Sequence, residues 1–158
     1  MKKYKIHFTI ILIILILIII IFTKSNYNSN KESNNLSQVC FNKNCFSIEL
    51  AITQEEKQIG LMNRNHLDKD KGMLFIYTTP QKASFWMKNT LIPLDIIWID
   101  QDFNVVYIAN AQSCKQDPCP IYNPDSEALY ILEINSNLTK ELNIKEGDKV
   151  SINLQKNS

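Results

Sequence analysis

The sequence predicts an α+β fold that is predominantly antiparallel β: a compact, β-barrel-like domain with two short helices, preceded by one transmembrane helix. Three observations carry this expectation. Short apolar segments with two-residue alternation recur from Phe46 to Leu154 and are separated by turn residues. Only two stretches, after Thr53 and after Ser136, carry helix signals. Ile6 to Phe22 is almost wholly Ile and Leu behind the basic end Met1-Lys2-Lys3-Tyr4-Lys5. At 158 residues the chain has room for one domain and an appendage.

The appendage comes first. Residues 1–5 are assigned as a cytoplasmic basic end and 6–22 as a transmembrane signal-anchor. Seventeen residues at about 1.5 Å rise reach roughly 25 Å, just enough for a hydrocarbon core of about 30 Å. A cleaved secretory signal is the rival reading, but no Ala-x-Ala site follows the apolar run. Lys2, Lys3 and Lys5 before the run outweigh Lys24 and Lys31 after it, so the amino terminus is expected to be cytoplasmic. The rest of the chain is then extracytoplasmic under either reading, with the lipid bilayer as partner of residues 6–22. Residues 23–37 are Asn/Ser-rich and nearly free of apolar side chains, so a disordered tether is expected. Residues 38–158 form the soluble domain. With a net charge of +1 and no basic block after the membrane segment, nucleic acid is not expected as a partner.

The domain is expected to open with a hairpin at Phe41-Asn42-Lys43-Asn44. Phe46, Ile48, Leu50 and Ile52 then alternate with polar or small residues in a half-buried strand. Thr53-Gln54-Glu55-Glu56 reads as a capping box opening a helix that ends near Gly60 or Met62. A polar loop over 63–72 leads into the strand Met73–Tyr77. Strands at 83–88, 95–100 and 104–109 follow, and the one through Ile96–Ile99, apolar on both faces, is expected to be central. Ala128–Ile134 is a strand, Ser136–Asn143 a short helix with Leu138 and Leu142 inward, and Lys149–Leu154 the closing strand.

The four cysteines form two pairs of equal spacing, Cys40-x4-Cys45 and Cys114-x4-Cys119. Outside the membrane such pairs oxidise. Of three possible connectivities the local one is favoured, because the Phe41–Asn44 turn brings Cys40 opposite Cys45 and Lys115–Pro118 forms a loop between the other two. The spacing lies at the edge of that used by zinc sites, and no metal is assigned.

Much catalytic chemistry is excluded. Gly60, Gly72 and Gly147 are the only glycines and are isolated, so no phosphate-cradling loop exists. No cofactor is implied. His66 is the single His after the apolar run and reads as a solvated loop residue. No catalytic residue is assigned, and a binding role is favoured over an enzymatic one without deciding between them. The unusual stretch is Phe85–Asp100, where two Trp, a Lys, an Asn and two Asp interrupt an apolar run. Ala83, Phe85 and Met87 fall on one face, with Ser84, Trp86 and Lys88 on the other. Trp86, Lys88, Asn89 and Asp95, with Arg64 from the loop after the first helix, are the candidate ligand-binding residues. Arg offers a planar fork, Lys a point charge and Trp a stacking surface. A small anionic or polar ligand, or a glycan, is expected there. The bland alternative has Trp86 covering the core edge, Lys88 lying across it, and Arg64 bonding carbonyls of its loop, while Asp95 anchors the turn at Pro93. Two other classes are a hydrolase using Asp95 and Lys88, and a non-catalytic partner in an envelope complex.

Gly60-Leu61-Met62-x-Arg64, Gly72-Met73-Leu74-Phe75 and Phe85-Trp86-Met87-Lys88-Asn89-Thr90-x-Ile92-Pro93-Leu94-Asp95-Ile96-Ile97 resemble the family called domain of unknown function 192. Cys119-Pro120-x-Tyr122, Ala128–Glu133 and Gly147-Asp148-x-Val150 fit the same pattern in order. The resemblance covers roughly residues 45–154. It implies a small β-rich domain, often behind a signal peptide or single membrane helix, and no particular activity.

Overall fold

The computed structural model describes residues 13–21 and 37–155. The chain divides at Leu36/Ser37 into two units. In the first, residues 13–21 are helical, with their Ile and Leu side chains exposed. Among the described residues no helix is long and apolar enough to cross a membrane. The basic end, the remainder of the 6–22 run and the tether up to residue 36 lie outside the described residues.

The second unit is a half-barrel of mostly antiparallel β-structure. Strands β1 (Gln38–Phe41), β2 (Asn44–Ala51), β3 (Lys71–Gln81), β5 (Leu94–Ile99), β6 (Val105–Ala111), β8 (Ala128–Asn135) and β9 (Ser151–Asn153) form one sheet in the order β6-β5-β8-β3-β2-β1-β9. Strands β4 (Phe85–Trp86) and β7 (Ile121–Tyr122) pair separately. Helices α1 (Gln54–Ile59) and α2 (Leu138–Glu141) are short. The sheet does not close into a barrel. Its ends meet where residues 103–105 pair with 147–150: Val105 N–H donates to Asp148 O, Gly147 N–H to Val105 O and Val150 N–H to Phe103 O, with Asn104 bridged to Lys149.

Local chemistry explains much of this. Cys40 pairs directly across the first hairpin with Cys45, and their sulfurs are bonded, as are those of Cys114 and Cys119. Thr53 caps α1 through the Glu56 N–H while the Glu56 carboxylate accepts from the N–H groups of Ile52 and Thr53. The expected central strand is β5, flanked by β6 and β8, with all six residues buried. Nonlocal pairing explains the departures. Strand β2 runs parallel to β3, and Ala51 is fully buried on the face opposite Phe46, whereas Ile52 lies beyond the strand and is half exposed.

Both faces of the sheet carry core. Val39, Phe46, Leu74, Ile97, Leu132 and Ile134 pack with α2 on one side. Met73, Phe75, Phe85, Ile96, Trp98 and Ile131 pack on the other. Phe85 stands edge-on between Phe75 and Trp98, at 4.8 and 5.7 Å between ring centroids. The Trp98 indole N–H donates to Ala83 O at 2.9 Å, which ties the segment before β4 to the central strand. Truncating such an aromatic to Ala costs about 3–5 kcal/mol. This second face carries the candidate site.

Candidate functional site

A cleft of about 220 Å³ opens between α1, the turn after it, β3 and β4. Gly60, Leu61 and Met62 form one wall, Phe75 and Tyr77 the second, and Phe85 and Trp86 the third. Glu133 of β8 also lines it. In register, Glu133 lies between Met73 of β3 and Ile96 of β5, which places its side chain on the aromatic face. It is only 5% exposed, and its Oε2 has no hydrogen-bond partner. A buried polar atom left in that state is uncommon and costly.

Burial pushes the Glu133 carboxyl up to about 8, against a weaker pull downward from the Arg64 guanidinium. At neutral pH it is mainly a neutral acid with one O–H to donate and acceptor capacity to spare. Burial also raises the Tyr77 phenol, helped by the charge of Glu133 nearby. Two glycines admit the Glu133 strand and its carboxyl. A Cβ on Gly72 would lie 2.6 Å from the Glu133 carbonyl oxygen, so only glycine permits this approach of β3 to β8. A Cβ on Gly60 would stand 3.9 Å from Glu133 Oε2 and 3.2 Å from the Phe75 ring. Gly60 closes α1 with φ +49°, a conformation that also favours glycine.

The residues anticipated from the sequence are only partly assembled here. Trp86 lines the cleft and is half exposed. Lys88 lies beside it, with Nζ 5.4 Å from the Trp86 ring centroid and 2.8 Å from Asp117 Oδ2. Asn89 is exposed in a left-handed turn, φ 58°, and its carbonyl accepts from the Asn63 N–H at 2.8 Å. Arg64 does not bond loop carbonyls. Its guanidinium makes a bidentate pair with Glu49 at 2.5 and 2.7 Å, which holds the Glu49 carboxyl below its usual range. Neither Arg64 nor Glu49 is among the cleft walls.

Asp95 lies on the opposite face of the sheet. It is fully buried and accepts from Asn110 Nδ2, Asn137 N–H, and both the N–H and hydroxyl of Thr139, all at 2.7–3.1 Å. It therefore anchors α2 and β6 to β5 rather than the Pro93 turn, and does not meet Lys88 as a hydrolytic pair. His66 is exposed and paired with Asp68. Among the described residues no three His, Cys, Asp or Glu side chains converge in a metal-holding group.

Glu133 is the residue that sequence reasoning missed. The available signal was a single acid inside the apolar strand Ala128–Ile134, the same kind of anomaly that drew attention to Asp95.

Fold and site together define a half-barrel β domain with a small aromatic cleft around a buried acid. The profile of the DUF192 family, described as an uncharacterized ACR, matches residues 37–152. This chain belongs to that family. It is 31% identical over 109 residues to a UPF0127 protein of Thermococcus gammatolerans and to another of Thermococcus kodakarensis. Each match covers 66% of this chain, and 65% and 63% of the two relatives, just under two thirds of their length. Among solved structures, a protein of unknown function from Novosphingobium aromaticivorans is similar at 40% identity and a TM-score of 0.66, covering 73% of this chain and 83% of that one. A Sinorhizobium meliloti protein to which a transcription-regulator role has been ascribed is similar at 27% identity and 0.65, covering 73% and 91%.

Proposed function

We propose that this domain is a membrane-tethered, extracytoplasmic binding module for a small polar ligand, seated in the Gly60–Glu133 cleft. The carrying observation is Glu133: a buried carboxyl with an unpartnered oxygen, lining an open aromatic cleft. A ligand that supplies the missing hydrogen bond removes a desolvation cost already present in the free protein. The ligand pocket shifts from the Trp86/Lys88 face toward Trp86 and Glu133, with Lys88 beside Trp86, the Asn89 carbonyl holding the Asn63 N–H, and Arg64 tying its loop to Glu49. The tether rests on the apolar run 6–22 behind its lysines, and the paired cysteines favour an oxidising compartment.

The direct experiment is a thermal-shift screen of the full chain, held in an uncharged detergent without sugar head groups, against small polar compounds. A bound compound raises the unfolding midpoint by mass action. The response should vanish in Glu133→Leu. Protease accessibility of the domain in intact cells tests the topology: cleavage from outside supports the tether reading, and full protection with release into the soluble fraction contradicts it.

One observation favours a second reading. A carboxyl raised to about 8 in a cleft is suited to act as a general acid. Hydrolysis by a carboxylate pair needs a partner, however, and Glu133 is the only acid among the cleft walls. Binding is therefore the better-supported function.

A further inference from the structure

We propose that the ligand of this cleft is a neutral sugar ring of a glycan, its hydroxyls meeting Glu133 and its apolar face lying against Trp86. This rests on the reading of the cleft as a ligand site and goes on to its chemical class. Size is the first argument. At about 220 Å³ the cleft is smaller than the roughly 300–1,000 Å³ of sites that hold drug-sized molecules, so it takes one ring and leaves the remainder of a larger ligand outside. Shape is the second. Trp86 is 49% exposed at the cleft wall, a large apolar surface that a flat ring can cover.

Charge decides among ligand classes. A cation gains from aromatic rings, but one side of each of Tyr77 and Trp86 already holds an ammonium, Lys57 and Lys88 at 4.5 and 5.4 Å from the centroids. That charge would repel it while leaving the other side of Trp86 to an apolar ring. Lys57 is itself a cleft wall residue and would repel an incoming cation. An anion only accepts, so it could meet the O–H of the acid but would leave its acceptor capacity unmet. A hydroxyl suits the site, because it both donates and accepts, as a protonated carboxyl does. Apart from Lys57, the polar residues around the acid are neutral. Gln54, Gln58 and Ser84 line the cleft, and their side chains are engaged by no hydrogen bond among the described residues. Uncommitted amides and a hydroxyl beside an aromatic platform match a polyhydroxylated ring.

The test titrates the full chain, in a polyoxyethylene detergent, with cellobiose, maltose and diacetylchitobiose, and in parallel with choline, acetate and acetamide. Tryptophan emission is the readout. Trp98 is fully buried but packs against the cleft wall residue Phe85, so a saturable change is assigned to Trp86 only where it is lost in Trp86→Ala. At least one disaccharide is expected to bind. Glu133→Gln, whose amide keeps a donor and an acceptor, should hold affinity within about ten-fold. Glu133→Leu and Trp86→Ala should weaken binding more than ten-fold while remaining folded by circular dichroism, and Trp86→Tyr should restore most of it; because Trp86 is replaced in two of these, variant affinities are taken from calorimetry. Binding of choline, acetate or acetamide that depends on Glu133, with no response to any disaccharide, would overturn the sugar assignment and leave the cleft reading standing. Disaccharide binding unchanged in Glu133→Leu and Trp86→Ala, or no response to any probe, would overturn both.

Discussion

A Cβ on Gly60 would stand 3.9 Å from Glu133 Oε2, in van der Waals contact, so Gly60 packs directly beside the buried carboxyl at the cleft. The same Cβ would press on Phe75 at 3.2 Å, and the positive φ penalises any side chain there. Gly60→Ala is expected to cost about 1–3 kcal/mol in urea denaturation. It should also weaken ligand binding in the protein that stays folded. Unchanged affinity with reduced stability would remove Gly60 from the site.

Glu133 makes stability depend on pH. The unfolded chain releases this proton near 4.5 and the folded protein near 8. Between those values the folded state binds more protons than the unfolded one, so stability falls as pH rises. The cost is absent below about 4.5 and complete above about 8, and amounts to something on the order of a few kcal/mol. Glu133→Gln removes the titration. The denaturation free energy of the wild type relative to Glu133→Gln should therefore decline from pH 5 to 8, and a difference independent of pH would contradict the burial of an unpaired acid.

Asp95 is expected to affect stability alone. Asp95→Ala leaves the N–H of Asn137 and the N–H and hydroxyl of Thr139 without this acceptor, while Asn110 keeps only Ser136 Oγ. The loss should reach about 3 kcal/mol or more, read from the chemical denaturation midpoint. Calorimetric affinity, corrected for the folded fraction, should stay at the wild-type value.

The Arg64–Glu49 pair, with side chains 35% and 53% exposed, should contribute at most about 1 kcal/mol in a double-mutant cycle. Lys88–Asp117, similarly exposed, belongs in the same range. A coupling well above this, lost in high salt, would show that one of these pairs is a structural lock.

The contrast between Asp95 and Glu133 also shows how far the sequence could be read. Local features were legible: the Cys40–Cys45 hairpin, the Thr53–Glu56 capping box, the alternation that buries Phe85 and exposes Trp86, and the central place of Ile96–Ile99. Each depends on residues a few positions apart. Asp95 and Glu133 look alike in sequence, as single acids in otherwise apolar buried strands. They even lie in adjacent register rows, Asp95 opposite Ile134 and Ile96 opposite Glu133. One faces four donors brought by β6 and α2, whereas the other faces aromatic rings with Oε2 unpartnered. That difference is set by nonlocal partners 15 to 44 positions away for Asp95, and by the packing of α1 and β3 for Glu133. The parallel β2–β3 pairing and the small β4–β7 sheet were hidden for the same reason.

The central claim is that the Glu133 carboxyl is an unpaired, ligand-ready group. Its most direct test is the carboxyl 13C resonance of Glu133, followed by NMR across a pH titration with and without bound disaccharide. The resonance should titrate with a midpoint near 8 in the free protein and move when the cleft is filled. A midpoint near the ordinary 4.5, with no response to any ligand, would contradict the account.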